Sequence, residues 1–193
     1  GLYICGGFQF LGKYYKEADG TIIEQLGVLD VYTENPGGKR LIGNVAIEVT
    51  GLPVIPHLRR FGKPSPESGM RNPERNESQV DAQDDNLIFV GFENHGGRTR
   101  LGPSVKPLGK VLKGYGSNAE DGTEGAVYKN SIGTYFHGPI LPKNPELADW
   151  LITKALEKKY KLQTINHELL TPLDDSLSQK AREEVLKKLG LTP

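Results

Sequence analysis

The chain is 193 residues long, which bounds it to one domain or one domain with an appendage, and its 24 basic and 24 acidic side chains cancel. No net field therefore draws it to nucleic acid or to an anionic membrane, and neither partner is expected. One cysteine excludes an internal disulfide framework and a thiolate metal cluster, and no apolar run is long enough to span a bilayer, so a soluble cytoplasmic protein without a metal site is expected.

Leu, Ile, Val and Phe make up about a quarter of the residues, enough for a core, while 24 glycines and 13 prolines point to many tight turns. The opening Leu2-Tyr3-Ile4-Cys5 is short and apolar, meets Gly6-Gly7 at once, and is followed by Phe8, Leu11 and Tyr15 at helical spacing. That reads as strand, sharp turn, helix. Two strand-like runs over 27–33 and 41–49 flank Asn35-Pro36-Gly37-Gly38, and the spacing predicts a hairpin. Further strands are expected over 87–92 and 110–113, and as a pair over 125–128 and 132–136 around Lys129-Asn130. Asn144-Pro145-Glu146 predicts a helix start, with Asn as cap, running to about Lys161. A closing amphipathic helix follows from Asp174 or Asp175, with Leu177, Ala181, Val185 and Leu189 every fourth residue and Gly190 as its stop.

Between 56 and 86 this patterning fails. From 62 to 86 the apolar side chains are reduced to Met70, Val80 and Ala82, too few to offset ordering entropy, and a disordered surface insertion is expected.

Cys5 stands where a nucleophile would be useful. A side chain at the tip of a strand-to-helix turn projects free of the backbone, the start of a helix favours thiolate, and the Gly6 N–H points to where a carbonyl oxygen becomes negative on attack. Thiolate chemistry near neutrality needs a base, and of the four histidines His137 is best placed, ending a strand just before Gly138-Pro139.

Cys5-Gly6-Gly7-Phe8-Gln9-Phe10-Leu11-Gly12 resembles the nucleophile segment of class I glutamine amidotransferases, in the branch containing cobyric acid synthase glutaminase domains. Gly133-Thr134-Tyr135-Phe136-His137-Gly138 is similar to that branch's histidine segment. The segments 26–31, 91–97 (Gly91-Phe92-Glu93-Asn94-His95-Gly96-Gly97) and 121–125 (Asp121-Gly122-Thr123-Glu124-Gly125) look like the version serving as glutaminase subunit of lipid II isoglutaminyl synthase. The resemblance covers nearly all the chain outside 56–86. It implies an α/β class I glutamine amidotransferase-like fold, Rossmann-like with flavodoxin-type layers, forming a single glutaminase domain over 1–193. It also implies L-glutamine as substrate, Cys5 and His137 as catalytic residues, and Gly6, Gln9, Arg40, Asn94 and His95 as substrate-binding residues. No cofactor is expected in this chain; ATP and magnesium are expected on a MurT-like ligase subunit that receives the ammonia. A guanidinium at Arg40 suits the bidentate grip of glutamine's α-carboxylate.

Two features depart from the resembled pattern. Many class I members place a glutamate two residues after the histidine, whereas this chain has Pro139, so the orienting group is expected to be a backbone carbonyl, a distant side chain or, preferentially, an acid from the partner. The chain also opens at the nucleophile strand, with Tyr3 where many relatives carry glycine. It is therefore expected to be part of a longer parent that supplies the N-terminal strands and the second oxyanion donor. Two other readings stand beside this one: the glutaminase part of a corrinoid-amidating synthase, and a non-catalytic interaction domain that kept the fold.

Overall fold

The computed structural model describes residues 1–52, 87–161 and 173–191, so the insertion expected at 56–86 lies outside the described residues. The elements in order are β1 (Leu2–Ile4), α1 (Gly6–Phe10), β2 (Tyr14–Lys16), β3 (Ile22–Glu24), β4 (Val31–Glu34), β5 (Leu41–Val49), β6 (Ile88–His95) and β7 (Arg98–Leu101). There follow β8 (Gly109–Lys113), β9 (Thr123–Glu124), β10 (Ala126–Tyr128), β11 (Ser131–Thr134), α2 (Ile140–Lys143), α3 (Pro145–Tyr160) and α4 (Ser176–Leu189). This is a mixed α/β architecture with several sheets, consistent with the fold that the sequence resemblance implies.

Among the described residues the strands form three sheets, ordered β1-β11-β10, β3-β2-β4-β7 and β6-β5-β8-β9. In the first, β1 and β11 are parallel, with Leu2, Tyr3 and Ile4 opposite Ile132, Gly133 and Thr134. The hairpin of β10 and β11 turns on Lys129-Asn130 as expected, with Lys129 at φ 52°.

The hairpin expected across Asn35-Pro36-Gly37-Gly38 does not form. β4 pairs with β2 and β7, while β5 pairs with β6 and β8, so the glycine turn carries the chain from one sheet to another. Alternation identified both strands but carries no information about partners. The first helix is also shorter than its spacing suggests, and Tyr15 lies on β2. Gly12 gives the reason: a Cβ there would stand 2.9 Å from the Val31 carbonyl oxygen, a close pass that turns the chain along β4 instead of continuing the helix.

Two clusters form most of the core. Val45, Ile47, Phe89, Leu108, Ile132, Phe136, Leu147 and Trp150 pack where the first and third sheets meet α3, and Phe8, Leu11, Leu29, Val31, Ala126 and Tyr135 pack beneath α1. The opposite face of β5 and β6 presents Ala46 and Val90 to Val185 and Leu186 of α4. With both faces covered, β5 carries the unbroken apolar run Val45-Ala46-Ile47.

The helix starting at Pro145 is present, but Asn144 makes no side-chain cap. Its Oδ1 accepts the Val90 N–H at 2.8 Å and its Nδ2 donates to the Val90 carbonyl at 2.9 Å, so the amide completes the outer edge of β6 like a short piece of backbone. α4 ends at Gly190 in the left-handed conformation, as its sequence indicates. It is fixed from its middle by Arg182, whose guanidinium grips Glu146 bidentately at 2.7 and 2.9 Å inside the protein.

Candidate active site

Cys5 occupies the bend between β1 and α1 with φ 52° and ψ −110°, a conformation unfavourable for a residue with a Cβ and therefore held by its surroundings. Its N–H donates to the Thr134 carbonyl at 2.9 Å, extending the β1–β11 ladder by one bond, and its own carbonyl accepts the Gln9 N–H at 3.0 Å. The thiol is half-buried. Gly6 is the first residue of α1 and is exposed.

The parallel register carries the histidine segment to the same end of the sheet. Three residues beyond Thr134, the His137 N–H donates to the Phe92 carbonyl at 2.7 Å, fixing the exit from β11 against β6. The His137 Nε2 is buried and has no hydrogen-bond partner among the described residues. Burial, and then the nearby His95 and Arg40, hold the imidazole below its ordinary pKa, so it is neutral and able to accept a proton near neutrality.

A line of hydroxyls lies beneath α1. Thr33 and Thr99 share a hydrogen bond of 2.7 Å, Thr99 meets the Tyr135 hydroxyl at 2.6 Å, and the Gln9 Nε2 donates to that hydroxyl at 3.0 Å. Gln9 is thus anchored one helical turn from Cys5. Gly97 makes room for the contact, since a Cβ there would fall 2.8 Å from the Gln9 Nε2 and 2.5 Å from Thr33. Burial pushes the Tyr135 phenol up to about 12, so it remains protonated.

His95 is sequestered behind this line at 1 % exposure, stacked on the Tyr135 ring with centroids 3.6 Å apart. Its Nδ1 donates to the Gly97 carbonyl at 2.7 Å, and its Nε2 lies 3.7 Å from a carboxylate oxygen of Glu93. Glu93 in turn accepts the N–H groups of Tyr115 and Gly116 at 2.7 and 3.0 Å. Arg40 and Asn94 are together at the rim. The exposed Arg40 donates through Nε to the Asn94 Oδ1 and through Nη2 to the Asn94 carbonyl, both at 2.8 Å. This aims the guanidinium towards Gly96, where a Cβ would come 3.5 Å from Nη1.

The fold therefore brings Cys5 and Gln9 together on the elbow, Arg40 together with Asn94, and His95 against Tyr135 behind them. Sequence reasoning missed the supporting groups Thr33, Thr99, Tyr135, Glu93 and the fully buried Glu124, whose carboxyl accepts the Tyr135 N–H at 2.7 Å. A visible signal existed for the last: a lone acid inside the strand-like stretch Thr123-Glu124-Gly125-Ala126-Val127-Tyr128 has to be paired or functional.

Residues 2–145 match the family model described as CobB/CobQ-like glutamine amidotransferase domain. Over 183 residues the chain is 43% identical to the lipid II isoglutaminyl synthase (glutamine-hydrolyzing) subunit GatD of Streptococcus pneumoniae, covering 95% of this chain and 56% of that protein. It is 45% identical over 159 residues to the subunit of the same name from Staphylococcus aureus, covering 82% and 50%. A probable cobyric acid synthase of Methanothermobacter thermautotrophicus is 36% identical over 140 residues, 70% of this chain and 22% of that protein. The chain spans about half the length of the two GatD relatives it matches.

Proposed function

The chain belongs to the CobB/CobQ-like glutamine amidotransferase family, and on that footing we propose that it is the glutaminase domain of a lipid II isoglutaminyl synthase, releasing ammonia from L-glutamine for a MurT-like ligase partner. In this reading the ligase, with ATP and magnesium, activates the D-glutamate carboxylate of lipid II, and the ammonia converts it to the amide.

Cys5 is the nucleophile and His137 its base. The neutral imidazole takes the thiol proton, and the thiolate attacks the side-chain carbonyl carbon of glutamine. The oxygen becomes negative and is met by the Gly6 N–H. The imidazolium returns its proton to the nitrogen, the C–N bond breaks, ammonia leaves and a thioester remains. Water, deprotonated by His137, then attacks the thioester, the C–S bond breaks, and glutamate departs with the thiol restored. Gln9 and Asn94 offer polar contacts to the substrate, Arg40 its guanidinium to the α-carboxylate, and His95 acts from beneath by fixing Tyr135. An acid from the partner orients the imidazole, Pro139 standing where many relatives have a glutamate.

The observation that carries this reading is the 2.9 Å bond from the Cys5 N–H to Thr134, which ties the strained elbow to the strand whose exit bears His137. The test combines the full-length protein with the ligase partner, glutamine, ATP, magnesium and lipid II. Amidated lipid II is expected, and Cys5→Ala is expected to abolish both glutamate release and amidation. Arg40→Lys, which loses the bidentate grip, is expected to lower kcat/KM for glutamine roughly ten- to hundred-fold, mainly through KM. Undiminished glutamate release by Cys5→Ala would overturn the mechanism, and amidation of a corrinoid acid in place of lipid II would overturn the acceptor.

A further inference from the structure

Glu124 is fully buried on β9 and holds the backbone that bonds to Cys5 and leads on to His137. Its Oε1 accepts the Tyr135 N–H at 2.7 Å, and both carboxyl oxygens lie 3.0 Å from the Thr134 hydroxyl. The same hydroxyl accepts the Phe136 N–H at 3.0 Å. Glu124 and Thr134 between them therefore satisfy two successive N–H groups where the chain leaves β11. The third, that of His137, goes to Phe92.

The Thr134–Tyr135 peptide is held on both sides. Its N–H is gripped by Glu124, and its carbonyl accepts the Cys5 N–H. One peptide plane thus transmits the position of a buried carboxyl to the nucleophile elbow on one side and to the histidine-bearing exit on the other. The acid is itself tightly seated. Glu124 pairs with Gly109 across β8 and β9, and the next residue, Gly125, donates its N–H to the Ser117 Oγ at 2.9 Å. At φ +67°, Gly125 passes so close to β11 that a Cβ would lie 2.7 Å from the Gly133 carbonyl oxygen.

We propose that Glu124 is a positioning residue for the glutaminase reaction, its carboxyl fixing the 134–135 peptide plane and through it the relative placement of Cys5 and His137. The inference rests on the proposed glutaminase reading for its kinetic consequence but not for its structural one. An apolar residue would fill the site at lower desolvation cost, since burial pushes this carboxyl up to about 8. What an apolar residue cannot supply is the acceptor for the Tyr135 N–H. Glutamine can, with its amide oxygen towards Tyr135 and its amide N–H groups towards the Thr134 hydroxyl.

The test compares Glu124→Ala, Glu124→Gln and Thr134→Val in the full-length protein with its ligase partner, reading kcat and KM for glutamine together with amide hydrogen exchange at Cys5 and Tyr135. Glu124→Ala is expected to lower kcat by about a hundredfold with KM for glutamine unchanged, as a small displacement of reacting groups does, and to speed exchange at both amides. Glu124→Gln is expected to restore both. Thr134→Val, which keeps shape and loses the hydroxyl, provides the same comparison should Glu124→Ala fail to fold, with a smaller loss in kcat and faster exchange at Phe136. Wild-type turnover with kcat unchanged in Glu124→Ala or in Thr134→Val overturns the positioning role, as does failure of Glu124→Gln to recover activity. If the wild-type protein releases no glutamate, the glutaminase reading falls and the exchange data decide alone: unaltered exchange at Cys5 in Glu124→Ala then overturns the inference.

Discussion

The contact between Phe8 and Gly133 sets the height of α1 above the first sheet, and replacing the glycine tests that arrangement. A Cβ at Gly133 would fall 2.0 Å from the Phe8 ring, far inside van der Waals contact, and Phe8 is fully buried with no open side to retreat into. Gly133→Ala must therefore move the ring, which also meets Tyr135 edge-on at 5.5 Å, or lift α1 from the strands. Overpacking of this kind costs about 1–3 kcal/mol, and at roughly 2–4 °C per kcal/mol for a chain of this size the melting temperature should drop by about 2–12 °C. Phe8→Leu should also destabilise, by leaving a cavity, at about 1–2 kcal/mol. In the double variant the new methyl enters the space the ring vacated, so the two losses should not add; a coupling of about 0.5–3 kcal/mol in favour of the pair is expected. Urea unfolding of the four proteins, followed by circular dichroism, measures this directly. Strictly additive losses would refute the claim that one steric contact seats the helix.

The buried ion pair makes a second prediction. Arg182→Met leaves the Glu146 carboxylate enclosed without its guanidinium and should cost about 3–5 kcal/mol in urea unfolding, while Arg182→Met combined with Glu146→Leu should recover much of that loss. No recovery would mean that the fork serves more than its partner. A third concerns pH. The Glu124 carboxyl holds its proton to about 8 in the folded chain against an ordinary 4.5, so the folded state binds more protons between these values. Its contribution to stability is full below about pH 4.5 and is lost as pH rises through about 8. The stability of the wild type relative to Glu124→Gln should fall over that range, and a flat difference would contradict the raised value.

What the sequence displayed, and what it withheld, follows from the range of each interaction. Features set by neighbouring residues were legible: the Lys129-Asn130 turn, the helix opening at Pro145, the left-handed stop at Gly190 and the bend at Cys5. Each is dictated by backbone preferences within a few positions. Pairings made across the fold were not. β2 and β3, three residues each, lack a run long enough to register as strands, and β4 and β5 join different sheets despite the inviting turn between them. The same limit governed the site. Cys5 and His137 stood out by their local surroundings and Arg40 by the family resemblance, whereas Tyr135 resembled an ordinary core aromatic until its hydroxyl was seen to meet Thr99 and Gln9. His95 sits in a motif that suggests a substrate contact, and only the fold placed it behind Tyr135.

The amide of Asn144 has a consequence beyond the register it completes. A strand margin with open donors and acceptors invites a second molecule to lie alongside it, and that is how many β-rich proteins aggregate. By occupying the donor and acceptor of Val90 with a side chain, the protein blunts that margin at its most apolar point. The chain then turns away into α3, leaving an intruding strand nothing to grasp there.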